Sequence, residues 1–99
     1  MPQSLARIVV HLIFSTKNRG AFLREAALRS EMHRVLGGIL GNLDCPAIII
    51  DGGDDHVHLM FVLGRARDLA EVVKEVKRQS SVWLKSKYPA LEAFAWQGG

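Results

Sequence analysis

The chain has 99 residues, 48% of them hydrophobic, a net charge of +3 and a single cysteine. That length buries one modest core, so one domain over residues 1–99 is expected. The lone Cys45 excludes an intrachain disulfide and a cysteine-built zinc site, and no apolar stretch nears the roughly 20 residues of a membrane span. Arg7 and His11 break the apolar run that a signal peptide would keep, so a cytoplasmic protein with no membrane contact is expected.

Residues 7–15 (RIVVHLIFS) predict a central strand, with Ile8, Val10, Leu12 and Phe14 on one face and Val9, His11 and Ile13 on the other. Thr16-Lys17-Asn18-Arg19-Gly20 ends it as a polar, basic loop. Over residues 25–42 the apolar positions Leu28, Met32, Val35, Leu36, Ile39 and Leu40 fall at helical spacing, and His33 lies off that stripe, where solvent is expected. Gly37, Gly38 and Gly41 each weaken such a helix by up to ~1 kcal/mol relative to alanine, and are expected to permit close approach to a sheet. Cys45, between Asp44 and Pro46, marks the start of the next strand and is given no function.

Residues 46–50 read as a short apolar strand, and Asp51-Gly52-Gly53-Asp54 as a tight hairpin turn into an antiparallel partner. That partner opens with Asp55-His56-Val57-His58. Strand residues two apart share a face, so His56 and His58 stand side by side as a metal clamp or a phosphate-facing pair, while Val57, Leu59, Phe61 and Leu63 point into a core. Two histidines at this spacing are, taken alone, more often structural than ligands. Asp51, Asp54 and Asp55 could lend a carboxylate to a metal, although aspartates beside a Gly-Gly pair usually serve the turn.

Asp68 with Glu71 three residues on predicts a helix N-terminus, and Leu69, Val72, Val73, Val76, Ser80 and Trp83 form a buried stripe up to Tyr88-Pro89. Lys74, Lys77, Arg78, Ser81 and Lys85 fall on another side. Residues 65–87 hold seven cations against three acids, a net +4, while the rest of the chain nets −1. A basic segment on a nearly neutral body is the footprint of phosphate recognition, although a solvated helix face looks similar. Phe94-Ala95-Trp96-Gln97 opens a last, incomplete strand. The order β-α-β-β-α-β predicts an α+β fold, a ferredoxin-like sandwich with an antiparallel sheet and two helices on one face. His56, His58 and His11 then look out from the open face.

Thr16-Lys17-Asn18-Arg19, Asp55-His56-Val57-His58-Leu59, Val73-Lys74 with Lys77 and Ser80-Ser81, and Phe94 with Trp96-Gln97 together resemble the small single-tyrosine HUH transposases. These are of the insertion-sequence 200/605 type, with relatives associated with repetitive extragenic palindromes. The resemblance runs nearly end to end. It implies a DNA strand transferase acting on single-stranded DNA hairpins with a divalent metal, Mg²⁺ or Mn²⁺, for which His56 and His58 would be two ligands. Imidazole suits Mn²⁺ better than the oxygen-seeking Mg²⁺. Lys17, Arg19, Lys74, Lys77, Arg78 and Lys85 would contact DNA.

In that family a tyrosine on a later helix attacks the phosphate, and a nearby polar residue, often glutamine, completes the metal shell. Here the only tyrosine is Tyr88, between Lys87 and Pro89 at a helix end, where a packed cap is the commoner role. No catalytic residue is assigned to it. The nucleophile and third protein ligand are expected to be missing, the domain being C-terminally truncated. The resulting unpaired sheet edge and uncovered face favour a homodimer. Two other readings stay open: a non-catalytic single-stranded nucleic-acid-binding remnant, for which Trp96 would be the main stacking aromatic, and an assembly domain.

Overall fold

The computed structural model describes residues 7–98; residues 1–6 and 99, the outer ends of the expected domain, lie outside the described residues. The elements run β1 (Val9–Ser15), a 3-10 turn (Lys17–Arg19), α1 (Ala26–Asn42), β2 (Ala47–Gly52), β3 (His56–Val62), α2 (Leu69–Lys87) and a second 3-10 turn (Pro89–Leu91). β3 is central, antiparallel to β1 on one side and β2 on the other. The α+β architecture is the one that the hydrophobic periods predict.

β3 carries the cleanest alternation in the chain. Val57, Leu59 and Phe61 are fully buried, while His56, His58 and Met60 between them stay half-exposed. Phe14 of β1 joins the buried row, and Leu28, Met32, Leu36 and Leu40 of α1 with Val72, Val76 and Leu84 of α2 pack against it in one core. Burying a side chain of this size contributes about 1.5–3 kcal/mol. A one-residue slip of β3 would turn that row to solvent, so the histidines' outward position follows from the packing.

Asp68 caps α2 as expected, its side chain accepting from the Ala70 amide at 3.1 Å. The hairpin differs in detail. β2 runs on through Gly52, and Gly53 N–H donates to the His56 carbonyl at 3.1 Å, so residues 53–55 form the loop. Gly52 has φ +152°, and a Cβ there would lie 2.3 Å from the His56 carbonyl oxygen, which explains its glycine. In α1 only Gly37 makes the expected close approach, with the side chain of Ile50 at 3.3 Å from a hypothetical Cβ; Gly38 and Gly41 face open space.

The incipient last strand is reduced to one isolated bridge between Trp96 and Thr16. Lys17 N–H donates to Ala95 O and Gln97 N–H to Ser15 O, both at 2.8 Å. The segment therefore docks antiparallel at the end of the free edge of β1, next to the 3-10 turn. Trp96 is a correction. Its ring is 1% exposed, edge-on to Phe14 and Phe94, with its indole N–H donated to Ser80 Oγ at 2.9 Å, so it offers no surface for stacking a base. A buried indole finds a partner for its N–H, and Ser80 on the buried face of α2 supplies one.

Candidate functional site

β3 presents His56 and His58 on the open face of the sheet. In the ladder His58 faces Ile13 on β1 and Asp51 on β2, and the ring of His11 lies 5.6 Å from that of His58. Three histidines thus share one face, as their alternation requires.

The two candidate ligands differ in how their rings are held. His56 Nδ1 lies 3.0 Å from Asp55 Oδ1. The bonds to His56 and then to Arg19 hold the Asp55 carboxyl below its ordinary range, so it is ionised and can only accept. With Nδ1 as the donor of that bond, a neutral ring keeps its lone pair on Nε2. That is the ligand form found where a carboxylate supports a metal-bound histidine. His58 Nδ1 stands 4.0 Å from Asp51 Oδ1, beyond hydrogen-bond length, and its Nε2 is buried without a hydrogen-bond partner. Two imidazoles on one strand face fit part of the shell of a divalent ion. Among the described residues no three histidine, cysteine or acidic side chains form a group that could hold a metal ion.

Asp55 was expected to serve its turn; its carboxylate instead bridges two side chains. Oδ2 accepts from Arg19 Nε at 2.9 Å. Asn18 and Arg19 have φ of 58° and 56°, a left-handed pair that bends the basic loop back over the hairpin. Asn18 N–H donates to Gln97 Oε1 at 3.1 Å, and the Gln97 carbonyl accepts from Lys77 Nζ at 3.0 Å. Consecutive hydrogen bonds and chain neighbours therefore join Lys77 on α2, Gln97, the loop of Lys17 and Arg19, Asp55 and His56. Sequence reasoning named the ends of this series separately. Asp55 and Gln97, its joints, were missed as joints; the only signal for Asp55 was its place directly before His56.

Lys74, Lys77, Arg78 and Lys85 line one groove of about 600 Å³ along α2, floored by Val73 and Val82 and closed by Ala95 and Gly98. The cations are not equally free. Arg78 is forked onto Glu75, which holds that carboxyl down at about 2 and raises the guanidinium further. Lys77 is held by Gln97 and also lies over the Phe14 ring at 5.3 Å.

Tyr88 caps the end of α2, half-buried, as expected of a packed cap. Its hydroxyl donates to Glu31, which also accepts from Lys87, and that bond raises the phenol above its ordinary value. Tyr88 is thus tied to α1. It lines a separate cleft with Phe22, Leu28 and Pro89, which contains no histidine. His33 is a second correction: it is half-buried, with Nε2 unpartnered, and burial then Arg29 lower its pKa. Trp83 is half-buried against the core, edge-on to Tyr88.

No helix among the described residues is long and apolar enough to cross a membrane. No curated protein matches the sequence. Among solved structures, the fold is similar to that of a protein from Deinococcus radiodurans R1 described as a candidate transposase, with a TM-score of 0.91 and 20% identity over 100% of this chain and 79% of that one. At that identity the likeness speaks for the fold alone. Residues 4–99 match the family described as transposase IS200-like, nearly the whole chain, so the loop, the histidine pair and the basic helix all fall within the matched region and the protein belongs to the IS200-like transposase family.

Proposed function

We propose that this chain binds single-stranded DNA hairpins as part of a metal-dependent DNA strand transferase of the HUH type, a cytoplasmic homodimer in which His56 and His58 hold Mg²⁺ or Mn²⁺. The observation that carries the reading is the pair of imidazoles on one strand face, with His56 Nδ1 3.0 Å from Asp55 Oδ1. When bound, the ion would polarise the scissile phosphate and orient it. Lys17 on the loop and Lys74, Lys77 and Lys85 in the α2 groove neutralise the backbone, with Arg19 and Arg78 shared between DNA and their carboxylate partners. The dimer rests on the edge strands, where Val9 and Ile13 of β1 and Ile48 and Ile49 of β2 are exposed, which leaves the histidines open to DNA.

One observation favours a second reading. Tyr88, the only tyrosine, is tied to Glu31, so these 99 residues supply binding and metal-holding groups without an evident nucleophile. On that reading the chain binds DNA without cutting it.

A labelled single-stranded DNA hairpin mixed with the protein and Mn²⁺, run on native and denaturing gels beside His58→Ala, separates the two. A metal-dependent native shift lost in the variant is expected. A band that also survives denaturation marks a covalent adduct and a working enzyme, whereas absence of any shift refutes the DNA reading.

A further inference from the structure

We propose that Asp55 is a positioning residue that sets His56 as an Nε2 donor before any metal arrives, with Arg19 as its outer brace and Gly53 as the seat of the ring. The metal consequence rests on the function proposed above; the positioning itself does not.

Asp55 is fixed on every side that matters. One carboxylate oxygen meets His56 Nδ1 at 3.0 Å and the other meets Arg19 Nε at 2.9 Å. Its carbonyl accepts from Thr16 N–H at 2.8 Å and lies 3.3 Å from the Thr16 hydroxyl, and Thr16 is fully buried. The main chain at Asp55 is thus anchored to the end of β1, which leaves the carboxylate little freedom except to bridge. The Arg19 end is equally determined. An arginine in the left-handed region is uncommon and persists only where its surroundings hold it. Here the Arg19 N–H donates to Thr16 O at 3.0 Å, and the preceding Asn18 is held by Gln97. The loop conformation brings a guanidinium onto Asp55.

Gly53 closes the other side of the imidazole. A Cβ at that position would lie 3.0 Å from His56 Cε1 and 3.4 Å from Nδ1, so the absence of a side chain at Gly53 leaves the ring its place. With Nδ1 committed, a flip of the ring about χ2, which exchanges Nδ1 with Cδ2 and Nε2 with Cε1, would break the Asp55 bond. His58, with its Nδ1 4.0 Å from Asp51, has no such brace. The two histidines are therefore unequal, His56 being the preset one and His58 the one that adjusts.

Long-range ¹H–¹⁵N NMR on the metal-free, ¹⁵N-labelled protein, well above the ordinary histidine pKa, reads the tautomer directly. Wild-type His56 is expected as the Nδ1–H form and His58 as a mixture. Asp55→Ala should release His56 to a mixture, and Asp55→Asn, whose amide oxygen can still accept, should restore the Nδ1–H form. Mn²⁺ affinity, followed by paramagnetic broadening of the same signals, should fall about 10–100-fold in Asp55→Ala and largely recover in Asp55→Asn. A wild-type His56 protonated on Nε2 overturns the proposal without requiring any variant to fold, as does a His56 tautomer that Asp55→Ala leaves unmoved. An Nδ1–H His56 that responds to Asp55→Ala, in a protein that binds no Mn²⁺, upholds the positioning role and refutes the metal reading instead.

Discussion

Glu75 accepts from Arg78 Nη2 at 2.7 Å, from Arg78 Nε at 3.3 Å and from Gln79 at 2.9 Å, and its pKa falls from 4.5 to about 2 in consequence. A carboxylate depressed in the folded state stabilises it above the unfolded value, and that contribution is lost as pH drops through the folded one. The window for Glu75 therefore runs from 4.5 down to about 2. Glu31 and Asp55 shift in the same direction, Glu31 through Lys87 and then Tyr88, so acid should loosen the protein at several surface points. Each of these groups is solvent-screened, and the effect of any one is small. We expect Glu75→Gln to reduce the difference in urea midpoint between neutral pH and about pH 3, as measured by fluorescence. A variant whose midpoint falls with pH as steeply as wild type would show that the fork onto Arg78 does not stabilise the fold.

At the scale of elements, two glycines make opposite predictions. Gly52 ends β2 at φ +152°, and a Cβ would sit 2.3 Å from the His56 carbonyl and 2.9 Å from Val57 Cα, both backbone atoms that cannot move aside. Gly52→Ala should cost about 1–3 kcal/mol through backbone strain and disturb the strand that carries the histidines. Gly38 lies inside α1 with open space around it. There the added methyl meets nothing, and the helix gains about 0.5–1 kcal/mol from the lower entropy of the unfolded chain. Thermal or urea unfolding of the two variants should move in opposite directions. If Gly38→Ala also destabilises, α1 is packed more tightly than this structure has it.

At the scale of the molecule, the sheet has one face under helices and one without them. On the open face Ile13 is 65% exposed, Ile49 52% and Val9 43%, an apolar surface around the histidines. Contiguous exposure of this kind marks an interaction surface or an aggregation hazard. A second copy of the chain packed along the β1 edge would cover Val9 and Ile13 and leave the histidines open. Ile13→Lys, placed at the centre beside His58, should shift the protein from dimer to monomer in light scattering at micromolar concentration. A wild type that is already monomeric there overturns the dimer reading.

The period of two in residues 56–62 and the helical stripes of α1 and α2 were legible without a structure, because apolar burial needs no more than local spacing to choose strand or helix and to say which face goes in. The outward position of His56 and His58 followed from the same rule. Trp96 was misread because whether a side chain near an element's edge is covered depends on what docks beside it, here Ser80 and Phe14. His33 sits within α1, where helical spacing alone did not show its half-burial. The Tyr88–Glu31 contact and the series from Lys77 through Gln97 and Arg19 to Asp55 join residues 20 to 79 positions apart. Sequence alone determined the two helices, the three paired strands, most of their buried faces and the residue types offered to a metal and to phosphate. Only the tertiary structure decided which cations are already paired and that the Asp55 carboxylate meets both His56 Nδ1 and Arg19 Nε, because hydrogen-bond partners are selected by distance in space and not by distance along the chain.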